Sequence, residues 1–396
     1  MLWGGYASAT HIIGGHMSYE FKKVLPNGNY QYQVTIDMFR DCKNSTVAFD
    51  EVIKLGVHID NEDNDWYRTY NFTLLLKQKV NPPGSAECDF YPKNVCIERG
   101  FYSSMIELQP NSGGYHLTFV RCCRNVQDNL VDDAGSPFQG QTFYGYIPDP
   151  SYKNSSPYFS GVPSPFMCNL DTNQFLFQAF DKDGDSLVYE IAMPYQGGSP
   201  SSTGNSPDPP LNLKVPPNAV QYRPGFGKNQ PFGSSGHISV DRATGFTELF
   251  SPSPGSYVVA IMVTEYRDGI KIGVVRLDMQ ILVLDCKGNK KPKVESILGD
   301  YFEIEAGEKL CFPIVGSDPD DDNVTIEGVG ELFGANANVD PPYATMDKKT
   351  GFKRVQSELC WTPDCDQHRE EPYTVFVKAT DDGCPEKFYM LRFKLR

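Results

Sequence analysis

Apolar and polar residues alternate with a period of two along most of this chain, and no stretch keeps a helical period. Alternation of this kind is typical of β-strands with one buried face. Turn dipeptides such as Asn27-Gly28, Asp268-Gly269 and Asp382-Gly383 separate the runs. The clearest runs cover residues 30–38, 53–59, 115–119, 187–193, 257–263, 277–283 and 373–377. The pattern predicts an all-β protein built of β-sandwiches.

Two polar, proline-bearing joints, at residues 147–157 and 285–292, divide the chain of 396 residues. We therefore expect three tandem β-sandwich domains, since single cores seldom exceed about 250–300 residues. An N-terminal β domain covers residues 10–150, a second domain residues 151–286 and a third residues 287–396. Residues 197–218, rich in Gly, Ser and Pro, are expected to form a long loop in the second domain.

The second and third domains resemble one another in sequence order. Each has an acidic turn, at residues 181–187 or 318–324, and a late strand that opens with proline and tyrosine. Each late strand ends in a second acidic turn, at residues 265–269 or 381–383. A repeat of this kind predicts a row of modules, each with its own core.

The composition limits the partners and the compartment. The net charge of −14 argues against nucleic acid and anionic lipid, because both are bound mainly through Lys and Arg. Eleven cysteines spread along the chain, without zinc-site spacings, predict disulfides and an oxidising compartment. The odd number leaves one thiol over.

The cysteine positions suggest particular pairs. Cys88 and Cys96 would close a short loop, and Cys168 and Cys286 bracket the second domain. Cys42 would join Cys122 or Cys123, but not both, because adjacent strand residues face opposite ways. We expect Cys123 to be bonded and Cys122 to be the free thiol.

Four cysteines in the third domain allow three pairings. We favour Cys365 with Cys384 and Cys311 with Cys360.

The N-terminus predicts export. Residues 1–9 are apolar and end in Ala7-Ser8-Ala9, which fits the remnant of a signal peptide. No later stretch reaches the roughly 18 apolar residues that a membrane-spanning helix needs. We therefore expect a secreted protein without a membrane span.

The acidic turns are the candidate metal sites, because calcium is bound by six to eight oxygen atoms and alternating carboxylates supply several of them. An EF-hand is excluded, since Gly184 precedes Asp185 and residue 12 of the loop would be Ala192. The alternative is an ordinary solvated acidic turn, which Asp and Gly form without a metal. The candidate ligands are Asp181, Asp183, Asp185 and Asp268 in the second domain and Asp318, Asp320 and Asp322 in the third.

Catalytic signatures are not present in the sequence: it contains no HExxH, GxSxG or Walker motif. We therefore predict that the protein is not an enzyme. The 22 tyrosines and 25 phenylalanines lie mostly at alternating core positions, and those left at the surface could form a platform for glycans.

Several motifs resemble those of very large secreted surface proteins of Bacteroidota, of the gliding-motility-associated, type IX secretion class. The resemblance covers nearly the whole chain in order. It is carried by residues 10–19 (THIIGGHMSY), 39–42 (FRDC), 114–115 (GY), 121–125 (RCCRN), 154–159 (NSSPYF), 181–187, 264–269 (TEYRDG), and 360–365 (CWTPDC) followed by Pro372-Tyr373. The last of these is similar to an Ig-like repeat, and residues 154–157 and 240–242 resemble the linker and Leu-Asp-Arg motifs of cadherins.

This resemblance implies Ig-like and cadherin-like domains and an adhesin-like role at the cell surface. Other surface proteins, copies of the same chain and glycans are the implied partners. No sorting domain is recognisable before Arg396, so either the chain is a fragment or its anchoring differs. We interpret the sequence as an extracellular structural or adhesive module, with calcium as a candidate cofactor and a glycan-binding surface module as the alternative.

Overall fold

The computed structural model describes residues 12–42, 48–63, 65–80, 96–131, 139–159, 165–198, 214–286, 288–333, 339 and 341–396. The predicted signal remnant at residues 1–9, Cys88 and most of the loop at residues 197–218 lie outside these ranges. The described residues fall into two compact units, one ending at Asp285 and the other beginning at Cys286.

The first unit contains sixteen strands in its described part, and one turn of 3-10 helix at Pro150–Tyr152. The strands are β1 (Ile12–Val24), β2 (Tyr30–Asp41), β3 (Val52–Ile59), β4 (Trp66–Val80), β5 (Ile97–Leu108), β6 (Tyr115–Arg121), β7 (Gln141–Ile147), β8 (Tyr158–Phe159), β9 (Phe166–Cys168), β10 (Thr172–Leu176), β11 (Ala179–Phe180), β12 (Ser186–Ala192), β13 (His237–Val240), β14 (Phe246–Phe250), β15 (Gly255–Arg267) and β16 (Ile270–Leu284).

One long sheet runs through this unit in the order β1-β2-β5-β4-β3-β6-β7-β16-β15-β12. Its first part encloses a core to which β1, β2, β5, β3 and β6 all contribute, as in a sandwich. A second core lies between β15 and β16 on one side and β10, β13 and β14 on the other. The two parts share a sheet, because β16 pairs with both β1 and β7.

Strand β1 lies between two partners at residues 14–16. Gly14 pairs with Phe39 of β2 and also with Met279 of β16. A Cβ atom on Gly14 would lie 2.4 Å from the carbonyl oxygen of Asp278, and its φ of +153° disfavours other residues. Glycine is therefore needed where the two neighbouring strands approach most closely.

The second unit contains nine strands in its described part and one 3-10 turn at Cys365–Gln367. The strands are β17 (Lys293–Glu295), β18 (Tyr301–Phe302), β19 (Leu310–Ser317), β20 (Asn323–Gly330), β21 (Thr345–Met346), β22 (Lys349–Phe352), β23 (Arg354–Trp361), β24 (Tyr373–Asp381) and β25 (Phe388–Leu395). They form two sheets, β17-β19-β23-β21 and β18-β25-β24-β20-β22.

These two sheets pack face to face around one core. Phe312 and Leu359 from the first sheet meet Val324, Val375 and Phe393 from the second, and all five are fully buried. The second unit is therefore a β-sandwich. The prediction of an all-β protein made of β-sandwich domains is confirmed. The first two predicted domains lie in one compact unit, and the boundary at residue 150 stays a prediction.

The disulfides differ from the predicted pairs in most places. Cys42 is bonded to Cys96, so the pair of Cys88 with Cys96 is wrong, as is that of Cys42 with Cys122 or Cys123. The ladder between β2 and β5 explains this bond, since Asp41 pairs with Ile97 and the next residues outward are the two cysteines. Cys122 is bonded to Cys123, so the prediction that Cys122 is the free thiol is also wrong.

In the second unit, Cys311 and Cys360 are directly opposite one another on β19 and β23, and the predicted bond between them is confirmed. Cys365 is an exposed free thiol, so its predicted bond with Cys384 is wrong. Cys384 is itself in a disulfide, as are Cys168 and Cys286.

Among the described residues, no helix has the length and apolar character needed to cross a membrane.

Candidate cation sites

The first acidic turn lies between β11 and β12 and is held in shape by Asp181. One carboxylate oxygen of Asp181 accepts hydrogen bonds from the backbone amides of Asp183 and Asp185, at 2.9 and 3.0 Å. Gly184, with a φ of +82°, allows the chain to turn back beneath this carboxylate. As a result, carboxylate oxygens of Asp181, Asp183 and Asp185 all lie within 4.8 Å of one another.

Glu265 is the buried acid of this site. It lies near the end of β15, its side chain is fully buried, and neither carboxylate oxygen has a hydrogen-bond partner. Space for it comes from Gly273, opposite on β16, where a Cβ atom would lie 2.1 Å from Oε2. Burial, together with the nearby charge of Asp181, raises the pKa of Glu265 to about 10. An unpaired buried carboxylate is costly unless a cation or a proton compensates it.

Asn154 and Arg267 complete the first site. Arg267 donates to Asp185 at 2.8 and 2.5 Å and to the side-chain oxygen of buried Asn154 at 2.7 Å. The backbone amide of Ser155 donates to Asp183 at 2.6 Å and so ties the loop before β8 to the acidic turn. The site therefore combines four acidic side chains with one guanidinium and keeps an excess of negative charge.

The second acidic turn, between β19 and β20, repeats the first. One oxygen of Asp318 accepts from the amides of Asp320 and Asp322, at 2.7 and 3.2 Å. The backbone amide of Lys290 donates to Asp320 at 2.5 Å, as that of Ser155 does to Asp183. The two turns share this pattern of hydrogen bonds from backbone amides to the first aspartate, although they lie in different units.

Asp381 is the buried acid of the second site. Its Oδ1 accepts from the amides of Gly383 and Lys387 and from the side chain of Asn289, at 3.1, 2.9 and 3.0 Å. Its Oδ2 is buried without a partner, and so are Oδ2 of Asp318 and Oδ1 of Asn289. Burial raises the pKa of Asp381 to about 7. Three uncompensated oxygen atoms are thus contributed by three different segments of the chain.

Matching residues build the two sites in the same order along the chain. An Asn-x-x-Pro segment comes first, at residues 154–157 and 289–292, followed by the Asp-x-Asp-x-Asp turn at 181–185 and 318–322. An acid near the end of a long strand comes last, Glu265 on β15 and Asp381 on β24.

The structure brings together most of the predicted ligands. Asp181, Asp183 and Asp185 form one group, and Asp318, Asp320 and Asp322 lie on the other turn. Asp268 lies in the exposed turn between β15 and β16, with a φ of +52°, while the buried acid of that strand is Glu265. Sequence reasoning missed Glu265 and Asp381 as candidate ligands. The period of two could have found them, because each continues the core face of its strand, after Ile261 and Val263 or after Val377 and Ala379.

Both sites are chemically suited to a hard cation. Carboxylate and amide oxygens are the ligands that calcium prefers, and each site offers them from at least three segments of the chain. A bound divalent cation would compensate the buried oxygens and reduce the repulsion among the carboxylates.

No protein-family model matches the chain, and no curated protein sequence matches it. The chain is similar to a solved complex of Dpr2 Ig1-Ig2 with DIP-Theta Ig1-Ig3, with 8% identity, a TM-score of 0.19, and 95% of this chain and 98% of that chain covered. It is similar to human CDH23 EC21-23, with 17% identity and a TM-score of 0.19, and the match covers 60% of this chain and 69% of that chain. It is also similar to Drosophila N-cadherin EC1-4, with 10% identity and a TM-score of 0.20, and the match covers 96% of this chain and 91% of that chain. Similarities at such scores establish neither fold nor function.

Proposed function

We propose that this chain is an extracellular structural or adhesive module, not an enzyme, and that calcium stiffens it at both acidic sites. The observation that carries the proposal is the set of buried oxygens without hydrogen-bond partners on Glu265, Asp318, Asp381 and Asn289. Buried polar groups are nearly always paired, so a cluster of unpaired acceptors around an acidic turn calls for a cation.

Calcium fits this requirement better than magnesium. The donors are carboxylate and amide oxygens from several separate segments of the chain, and calcium accepts irregular coordination by six to eight oxygens. Magnesium needs near-ideal octahedral geometry and usually keeps several waters. Extracellular calcium modules bind with Kd values of about 10⁻⁴ to 10⁻³ M, which matches the calcium available outside cells.

The cysteine chemistry supports the extracellular assignment. The bonds of Cys42 with Cys96 and of Cys311 with Cys360 would not persist in a reducing cytosol. The resemblance to secreted surface proteins of Bacteroidota favours a cell-surface location and export by type IX secretion, in the gliding-motility-associated class. Other surface proteins, or further copies of this chain, are the partners that such a module would hold.

Calcium is expected to raise the melting temperature of the full chain. A cation present at ten times its Kd adds about 1.4 kcal/mol per site, because it binds only the folded state. The measurement is scanning calorimetry in EDTA and in millimolar calcium. Asp183→Asn and Asp318→Asn should each lose the part of the shift that comes from one site.

The matched control is Asp63→Asn, which changes an exposed acid in the turn between β3 and β4 that belongs to neither acidic turn. It should keep the whole calcium shift. An unchanged melting temperature of the parent between EDTA and calcium would contradict the proposal, and so would an equal shift in the two site variants and the parent.

A further inference from the structure

A polar cleft opens on the outer face of the sheet formed by β1, β2 and β5 in the first unit. Its volume is about 370 Å³, within the range of small-molecule sites. The three strands form its floor, and Ser155–Phe159 with Lys182 form one wall. The lining includes His16, Ser18, Gln33, Thr35, Phe101 and Tyr158.

The floor carries hydrogen-bonding side chains because of the strand register. Met17 and Val34 point into the core, so their neighbours Ser18 and Thr35 point outward into the cleft. Ser18 and Thr35 are paired across β1 and β2, with their hydroxyl oxygens 2.8 Å apart. Gln33 lies beside them and donates to Ser103, which leaves its carbonyl oxygen as an acceptor. Side chains at these positions are held by a rigid sheet, as a recognition site requires.

Every charge that lines the cleft has an opposite partner. Arg99 forms a bidentate pair with Asp37, with N–O distances of 2.8 and 2.5 Å. Lys182 forms an ion pair with Glu20. Burial lowers the pKa of His16, so this imidazole on the floor is neutral near pH 7. The cleft therefore has many donors and acceptors but no net charge.

Two aromatic rings border the polar floor. Phe101 is half-buried and lies on β5 opposite Asp37, and Tyr158 on the wall is 39% exposed. The face of an aromatic ring is negative and attracts polarised C–H groups. An aromatic face beside fixed hydroxyl and amide groups suits a ligand with an apolar C–H face and a rim of hydroxyls.

We propose that this cleft binds a neutral saccharide. Anions and cations find no uncompensated charge here, and a purely apolar ligand would leave the hydroxyls and the amide unpaired. A sugar ring satisfies both requirements, because its hydroxyls both donate and accept and its C–H face can pack on a ring. This ligand site goes beyond the structural role proposed above and lies on the same unit as the first acidic turn.

The test is saturation-transfer NMR on the full chain with neutral mono- and disaccharides of glucose, galactose, mannose and N-acetylglucosamine. At least one sugar should receive transfer. Tyr158→Ala and Thr35→Val should each weaken its binding about tenfold, the effect of one lost contact of about 1.4 kcal/mol. Thr35→Val removes a hydroxyl but keeps the β-branched shape, so the strand should be preserved. Tyr301→Ala, which changes a tyrosine of the second unit that is 45% exposed, should have no effect.

Transfer to no neutral sugar would overturn the proposal, as would unchanged binding by both cleft variants. Stronger binding of glucose 6-phosphate or sialic acid than of any neutral sugar would overturn it too. The measurement is run with calcium and with EDTA. Both conditions are needed because Ser155 of the wall is hydrogen-bonded to Asp183 of the first acidic turn. Sugar binding without any effect of calcium on the melting temperature would contradict only the calcium proposal. A calcium shift without sugar binding would contradict only the saccharide proposal.

Discussion

Glu265→Gln is expected to stabilise the calcium-free protein, and increasingly so as the pH rises. The pKa of Glu265 is about 10 in the folded chain and 4.5 as an ordinary glutamate. At a pH between 4.5 and about 10, Glu265 therefore keeps its proton in the folded state and loses it in the unfolded state. The free energy of unfolding therefore falls with rising pH, by about 1.4 kcal/mol per pH unit from this one group. Glutamine does not titrate, so the variant does not lose stability in this way as the pH rises.

Urea unfolding in EDTA at pH 6, 7 and 8 measures the effect. The difference in the free energy of unfolding between the glutamine variant and the parent should widen by roughly 1.4 kcal/mol for each pH unit. Glu248→Gln, a half-exposed acid on β14 of the same unit, is the control and should follow the parent. A constant difference across the three pH values would show that Glu265 is not held protonated.

Calcium should narrow the difference in stability between the two proteins. A cation takes the place of the proton on Glu265, so the parent regains stability on addition of calcium and releases protons as it binds. The glutamine variant offers one neutral oxygen in place of a carboxylate and should respond only at the second unit. Its calcium-induced shift should therefore be about half that of the parent.

Asp278→Ala is expected to destabilise the first unit strongly. Asp278 on β16 is bonded to both terminal nitrogens of Arg124, at 2.6 and 2.7 Å, and Arg124 is fully buried. Removal of one partner from a buried pair leaves an uncompensated charge and costs about 3–5 kcal/mol. The measurement is urea unfolding of the full chain, with hydrogen exchange of the β16 amides to report on the first unit.

The control is Glu190→Ala, which breaks the solvent-exposed pair of Glu190 with Arg242 and should cost less than about 1 kcal/mol. A double variant, Arg124→Met with Asp278→Leu, should recover much of the loss, because two apolar side chains of similar volume need no partner. Equal destabilisation by the exposed and the buried variant would refute this account. So would a double variant less stable than Asp278→Ala.

The strands were predictable because local alternation reports which face is buried. The run of Tyr257, Val259, Ile261 and Val263 in the sequence lies wholly within β15, with all four side chains in the core. The sharing of one sheet by the first two predicted domains was not predictable in the same way. It depends on the pairing of β1 with β16 and on the bond between Arg124 and Asp278, and neither contact leaves a local signal in the sequence.

The candidate sites were predictable in part for the same reason. An Asp-x-Asp-x-Asp turn is a local pattern, so its three acids were found, whereas Asn154 and Asn289 are brought to it only by the tertiary fold. The cysteines show the limit most clearly. Cys42 and Cys96 are neighbours because β2 and β5 pair in one register, and a cysteine spacing along the chain carries no information about such a register.

The double pairing of β1 has a consequence for synthesis of the chain. β1 can join β2 as soon as residues 30–41 have emerged, but its second neighbour, β16, ends at residue 284. At a translation rate of about 5–20 residues per second, the second edge of β1 stays without its partner for on the order of ten seconds or more. An unpaired strand edge is a template for pairing with another chain. The edge of β1 at residues 14–16 is therefore exposed to pairing with other chains in this interval, and a factor that shields these residues until β16 has emerged would raise the folding yield of the first unit.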